Sequence, residues 1–373
     1  MSRSLQHYRR LFPVTKHYAY LNHAGCTPLP QPGVESLARY WHDQSTQGVL
    51  CEPYYCTVIE RARQKMAALI GADPSEIGWV QNTATAIELV AGGLDWREGD
   101  NVVTVHGEFP ANVYPWLALR RFGVDVKLVQ PRGGRVLPED IAGAMDRRTR
   151  LVSLSLVSFA TGNRVDLPAI AQLCEERGVL LNVDAIQGLG AVRFDVRQAG
   201  AHFVGAGVHK WLMGPHGVGL LYIRRDVLDR LTPASANWAS VVNRDDYLNY
   251  GQPWIESAAR VEGSTRNMSG LVAFDAVLSM ILEVGIARIE ARIMQLTDRL
   301  IAGLLAKGYE LVSSTEPHER SGIVSFKPRG DPAELLVRAQ AEGIVIAVRV
   351  GAIRVSPHFY NTEDEIDRLL ALL

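Results

Sequence analysis

Short apolar runs rich in Val, Ile and Leu alternate with stretches of helical period through the first two thirds of the chain. The runs predict strands over residues 77–80, 101–105, 124–129, 151–157, 179–183, 202–205 and 218–223. The segments between them predict helices such as 58–70, 84–91, 111–121 and 167–176. A strand that is apolar along its whole length, rather than on alternate residues, is buried on both faces. Such strands alternating with helices imply an α/β fold whose mainly parallel, seven-stranded sheet is covered by helices. Ligands of these sheets sit beyond the carboxyl ends of the strands.

After about residue 254 the pattern changes. One long amphipathic helix is predicted over 270–307, then a strand at 323–326, a helix at 332–342, strands at 344–348 and 352–355, and a final helix at 362–373. The division this suggests is an N-terminal segment 1–19, a large domain 20–253 and a smaller α+β C-terminal domain 254–373. With 373 residues there is enough chain for both cores. The net charge of −1 supplies no basic field for nucleic acid. The apolar stretch 271–282 is interrupted by Asp275, so no membrane span is expected, and the start of the chain lacks the apolar run of a signal peptide. Cys26, Cys51, Cys56 and Cys174 have neither metal-site nor redox-pair spacing, which fits a reducing, cytoplasmic setting and predicts no metal.

The chemistry concentrates between residues 183 and 217. Asp184 and Gln187 close one apolar strand, and His209-Lys210 follow the next but one stretch of chain, after a second strand. A carboxylate, a neutral hydrogen-bonding side chain and a lysine held by neighbouring strand ends suit pyridoxal 5'-phosphate. The lysine bonds the aldehyde, and the aspartate pairs with the protonated ring nitrogen so that the ring accepts electrons. A lysine taken alone is usually solvated surface, but Lys210 stands between Val208 and Trp211-Leu212-Met213, neighbours that desolvate an amine. An aspartate after a strand is often a helix cap; its spacing to Gln187 and Lys210 favours the functional reading. Asn82-Thr83-Ala84-Thr85, at a strand-to-helix junction, is an anion site or simple capping by the same geometry.

With the Gly214-Pro215 that follows Lys210, these residues resemble the class V aminotransferase family of fold-type I pyridoxal-phosphate enzymes, which includes the cysteine desulfurases. The resemblance runs from Tyr20 to the end of the chain. It implies that Gln187 hydrogen-bonds the cofactor's phenolic oxygen, and that Ala84, Thr85 and His209 bind its phosphate. The family's phosphate-binding serine is replaced here by Gly207. It further implies a homodimer with shared active sites, in which Thr265, from the segment 262–267, reaches the neighbouring subunit's phosphate. Phe109 stands where related desulfurases carry a ring-stacking histidine, and a phenylalanine stacks without titrating. Phe159 replaces their asparagine. Arg354, with Arg349 as the weaker candidate, is implied to bind the substrate carboxylate through a two-pronged contact. Desulfurases insert a loop carrying a persulfide-forming cysteine between these arginines; here the two are five positions apart with no cysteine between them. Asn22 and His23 are expected to line the substrate pocket, and Cys26 to be a small packed residue rather than a nucleophile.

The expected activity is that of a cofactor-dependent enzyme acting on an amino-acid-like substrate, with Lys210 moving the α-proton and Asp184 stabilising the resulting carbanion. Transamination is the leading expectation. The alternatives are β-elimination with C–S cleavage, epimerisation, or a kynureninase-like cleavage that Phe109-Pro110 would suit and His209 opposes. A non-catalytic protein that merely holds the cofactor is an alternative of another class, and the lack of a DNA-binding extension counts against a regulator.

Overall fold

The computed structural model describes residues 3–263 and 265–373, so Ser264 of the 262–267 motif lies outside the described residues. The strands are β1 (Ala19–Tyr20), β2 (Ile77–Val80), β3 (Asn101–Val105), β4 (Asp125–Val129), β5 (Thr149–Ser155), β6 (Leu180–Asp184), β7 (Phe203–Gly207) and β8 (Gly219–Ile223), followed by β9 (Val324–Phe326), β10 (Ile344–Val345), β11 (Ala347–Arg349) and β12 (Ala352–Val355). Strands β2 to β8 form one seven-stranded sheet in the order β2-β8-β7-β6-β5-β3-β4. Only β8 runs against its neighbours; the remaining pairs are parallel.

The continuous apolar runs have the expected cause. In β3, Val103 and Val105 enter one core with the helix Glu52–Ile70 while Val102 enters a second core beneath the helix Thr83–Gly93. Leu151 against Val152 and Leu154 in β5, and Leu180 against Leu181 and Val183 in β6, divide the same way. Both faces are therefore covered, and the carboxyl edge is left for polar side chains.

The C-terminal part forms its own core around an antiparallel sheet ordered β11-β12-β9. The first strand joins it: Ala19 and Tyr20 of β1 pair in parallel with Ile344 and Val345 of β10, although position 20 reads in sequence as the start of the large domain. The helix predicted over 270–307 is two helices, Met268–Val284 and Ile286–Ala306, bent by 77° at Gly285. That glycine has φ +83°, a left-handed backbone at which a helix stops. The helix predicted over 111–121 is broken into short turns around a four-residue piece, Tyr114–Leu117, where Pro115 sits in the first turn. No single helix among the described residues is long and apolar enough to cross a membrane.

A buried ion pair fixes the outer edge of the large sheet. Arg63 donates to Glu262 at 2.6 Å and to the carbonyl of Ile77 at 2.5 Å, and Glu262 accepts the Trp79 N–H at 2.9 Å. Both side chains are excluded from solvent. Glu262→Ala removes the buried acceptor of the Arg63 and Trp79 N–H groups and leaves Arg63 only the half-exposed Glu60, 2.8 Å away, so we expect a loss of about 1–3 kcal/mol in unfolding free energy by denaturant titration.

Candidate active site

The carboxyl ends of β6 and β7 meet the loop at 208–214, the helix Thr83–Gly93 and the β11–β12 hairpin around a cavity of about 290 Å³. Lys210, Asp184, Gln187, His209, Ala84, Phe109, Arg349 and Arg354 all line it, together with Thr83 and Phe159. Asp184 is the last residue of β6, in register with Ser155 of β5 and Gly205 of β7, so flanking strands hold its backbone on both sides. Its Oδ1 accepts the Ile186 N–H at 3.0 Å. Burial pushes the carboxyl up to about 6, against the pull of that N–H and of Lys210.

Lys210 sits in a turn closed by the Met213 N–H donating to its carbonyl at 2.8 Å. The turn is anchored by the wholly buried Trp211, whose indole N–H donates to Gln187 Oε1 at 2.9 Å and whose carbonyl lies 3.0 Å from His358 Nε2. Burial lowers the Lys210 amine to about 8, opposed by Asp184 and helped by Arg354 and Arg349. Its Nζ lies 5.6 Å from the centre of the Phe109 ring.

Arg354 is buried on β12 and its Nη1 donates to the Phe159 carbonyl at 2.8 Å. Its Nε and Nη2 are buried with no hydrogen-bond partner. Those two N–H groups form the edge of the guanidinium that matches a carboxylate in two-pronged fashion. Burial lowers this side chain to about 10, with Arg349 adding to the effect, so it stays cationic at neutral pH. Arg349 lines the same cavity and donates to the Val348 carbonyl.

The remaining expected residues fall in different places. Thr85 does not line the cavity: its N–H is taken by Asn82 Oδ1 at 3.0 Å, within a helix cap. The N–H groups of Thr83 and Ala84, in the first turn, have no partner within the helix, and it is these residues that face the cavity. His23 is also elsewhere. It is fully buried, with Nδ1 2.7 Å from the Ser356 carbonyl and Nε2 2.7 Å from the Tyr360 hydroxyl, so the carbonyl fixes the proton on Nδ1 and both nitrogens are used. Asn22 lies behind Gly25 rather than in the cavity lining, and its buried Oδ1 has no partner. Thr265 is exposed, outside its own chain's cavity.

Gly207 has a steric reason. A Cβ there would come within 3.0 Å of His209 Cε1 and Nδ1, so the histidine ring fills the space a serine would need. The Gly207 N–H donates to Thr83 Oγ1 at 2.8 Å, which ties β7 to the helix start. Burial, Lys210 and His216 together lower His209 to about 4, so its ring is neutral. Sequence patterns missed the part played by Trp211 in orienting Gln187, although its position beside Lys210 was the available signal. Cys26 Sγ lies 3.3 Å from His216 Nε2 at the rim. Among the described residues no three His, Cys, Asp or Glu side chains cluster as a metal site.

The donor set fits pyridoxal phosphate: an amine of lowered pKa, a buried carboxylate for the ring nitrogen, an aromatic face, and helix N–H groups for the phosphate. Comparison with known proteins agrees. Residues 19–369 match the family described as Aminotransferase class-V. The chain is 34% identical to a probable cysteine desulfurase of Methanothermobacter thermautotrophicus, over 97% of this chain and 95% of that protein. A solved cystine C–S lyase in complex with its product, cysteine persulfide, superposes with a TM-score of 0.90 at 25% identity, over 96% of this chain and 98% of that one. A variant of that lyase, with glycine covalently linked to its pyridoxal phosphate, also superposes with a TM-score of 0.90 at 25% identity, over 97% and 98% of the two chains.

Because the Lys210 amine is lowered to about 8, it becomes neutral and nucleophilic well below the ordinary lysine value of 10.5. We expect the unloaded protein to capture added pyridoxal phosphate at a rate that climbs up to about pH 8 and then levels, read by stopped-flow absorbance. Lys210→Ala should abolish capture, and a rate still climbing beyond pH ~10 would contradict the assignment.

Proposed function

Because the chain belongs to the class V aminotransferase family and is a pyridoxal-phosphate-dependent enzyme, we propose that it is a lyase that breaks the Cβ–S bond of a cysteine-type amino acid. The observation that carries this reading is the unpartnered Nε/Nη2 edge of Arg354 in one cavity with Lys210 and Asp184. That edge is a socket for an α-carboxylate, and it sets the α-carbon between the arginine and the lysine. The kinship with desulfurases and with a C–S lyase favours sulfur elimination over transamination. The hairpin argues against a persulfide carried on the protein. Only Val350 and Gly351 join β11 to β12, and neither presents a thiol.

When bound, the cofactor supplies an electron sink that lets a carbanion form beside its nitrogen. Lys210 Nζ would hold the aldehyde and is placed to take the α-proton. Asp184, whose carboxyl burial lifts to about 6, would pair with the ring nitrogen, and a cation there would draw it back to the anion. Thr83 and Ala84 would offer backbone N–H groups to the phosphate with neutral His209 beside them, and Gln187 has one amide N–H left after donating to the Ala24 carbonyl. Phe109 would cover one ring face and cannot exchange protons. Arg354 would clamp the carboxylate with Arg349 beside it.

The protein would act as a homodimer. Trp41, Val49, Leu50 and Tyr54 are exposed on one connected pair of helices, an apolar surface that suits a second copy, and Thr265 would then serve the partner's site.

We expect the loaded protein to release thiol or sulfide and pyruvate in equal amounts over many turnovers, quantified by chromatography. Alanine in place of pyruvate would mean that sulfur is transferred to a nucleophile, and would overturn the elimination. Arg354→Lys, which keeps the charge but loses the fork, should raise KM by about 10- to 100-fold with little change in thermal midpoint.

A further inference from the structure

A second cavity, of about 700 Å³, lies beside the first along the same edge of the sheet, at the carboxyl ends of β3, β4 and β5. Its lining includes Val105 and Glu108 from the end of β3, Leu137 from the loop after β4, Ser158 from the loop after β5, and His318 and Val350 from the C-terminal part. The partition between the two cavities is aromatic. Phe109 and Phe159 line the smaller one, while their chain neighbours Glu108, Ser158 and Ala160 line the larger. The two rings meet edge to face, with centres 5.3 Å apart at 78°. Phe109 is 45% exposed, so the partition is a thin aromatic wall rather than packed core.

Cofactor and the backbone of an amino acid account for the smaller cavity, and a bare thiol needs no adjoining chamber more than twice its volume. Nor does the chain fill that space itself, because the Val350-Gly351 turn stops at its mouth. Walls such as Val105, Val136 and Leu137 are apolar. Among the polar groups that also line it is Glu108. The Glu108 carboxyl accepts the Ser155 N–H at 2.7 Å and the Ser155 hydroxyl, and burial pushes it up to about 7.

We propose that this cavity is the chamber for the sulfur substituent, and that the substrate is an L-cysteine S-conjugate, with an apolar body on sulfur, rather than free cysteine. The inference rests on the C–S lyase reading and names its substrate class. Lys210 takes the α-proton, the Cβ–S bond breaks with its electron pair going to sulfur, and the thiolate takes a proton from water as it leaves, while Lys210 returns the α-proton to solvent when it is restored. The three-carbon remainder leaves as 2-aminoacrylate, which water converts to pyruvate and ammonium. The sum is conjugate plus water giving thiol, pyruvate and ammonium, with no oxidant or reductant.

The test compares L-cysteine with S-(1,3-benzothiazol-2-yl)-L-cysteine on the loaded protein, in the wild type and in His318→Trp, which narrows the chamber from its exposed rim. Calorimetry with the free thiol, 1,3-benzothiazole-2-thiol, reads the chamber without turnover. We expect kcat/KM for the conjugate to exceed that for cysteine at least tenfold, and His318→Trp to lower it about tenfold while leaving cysteine within twofold. The same variant should weaken thiol binding about tenfold. Pyruvate formed from cysteine as efficiently as from the conjugate, with no differential effect of the rim variant, would overturn the chamber and leave the lyase reading standing. No pyruvate from either compound would overturn the lyase reading and this inference together.

Discussion

The site is organised around an uncompensated surplus of positive charge. Lys210, Arg349 and Arg354 face one small cavity against a single lining carboxylate, Asp184. Arginines that are buried usually carry a partner, and leaving guanidinium N–H groups unsatisfied costs free energy. Arg354 nevertheless keeps two such groups free. Burial lowers Lys210 and Arg354 alike, with the neighbouring arginines adding to it, and the surplus is relieved only by anions. A phosphate ester at the start of the helix Thr83–Gly93 and a carboxylate at Arg354 are the two anions that a cofactor and an amino-acid substrate would bring. Ligands that satisfy these groups would gain affinity from relieving that cost.

Such an arrangement survives because its frame is over-determined. Trp211 lies fully buried between the two halves of the molecule: its indole N–H orients Gln187, its carbonyl meets His358, and its ring packs where a side chain on Gly322 would collide with it. The turns on either side of the site carry the two non-glycine residues with positive φ among those described, Met213 at +54° and Val350 at +50°. A branched side chain in that conformation costs of order 1–3 kcal/mol. One strained turn presents Lys210 and the other separates Arg349 from Arg354, so the strain lies where the geometry of the reacting groups is set.

Much of this could be read from the chain. Runs such as 101–105 and 179–183 are rich in apolar residues pointing to both sides because helices cover both faces of the sheet, and Asp184 and Lys210 fall at its carboxyl edge. What pattern could not give was the partner of each polar group. His23 looks like a pocket residue until Ser356 and Tyr360, more than three hundred positions away, are found to use both of its nitrogens. Thr83 and Thr85 are equivalent in sequence, and only the capping oxygen of Asn82 decides which of them turns inward. Gly285 is one glycine in a long helical period, a cost a helix often tolerates, and here the chain turns instead. The larger cavity has no sequence signature at all, since loops after β3, β4 and β5 and two residues of the C-terminal part assemble it.

The central claim is that an amino acid clamped by Arg354 loses its sulfur substituent while the cofactor comes through unchanged. The most direct measurement follows cofactor absorbance in the loaded protein mixed with a cysteine-type substrate and no keto acid, until the substrate is exhausted. The account predicts that the starting spectrum returns in full after many equivalents of thiol have been released. A permanent, stoichiometric loss of that spectrum, with one keto acid formed per site, would contradict it and make the protein an aminotransferase.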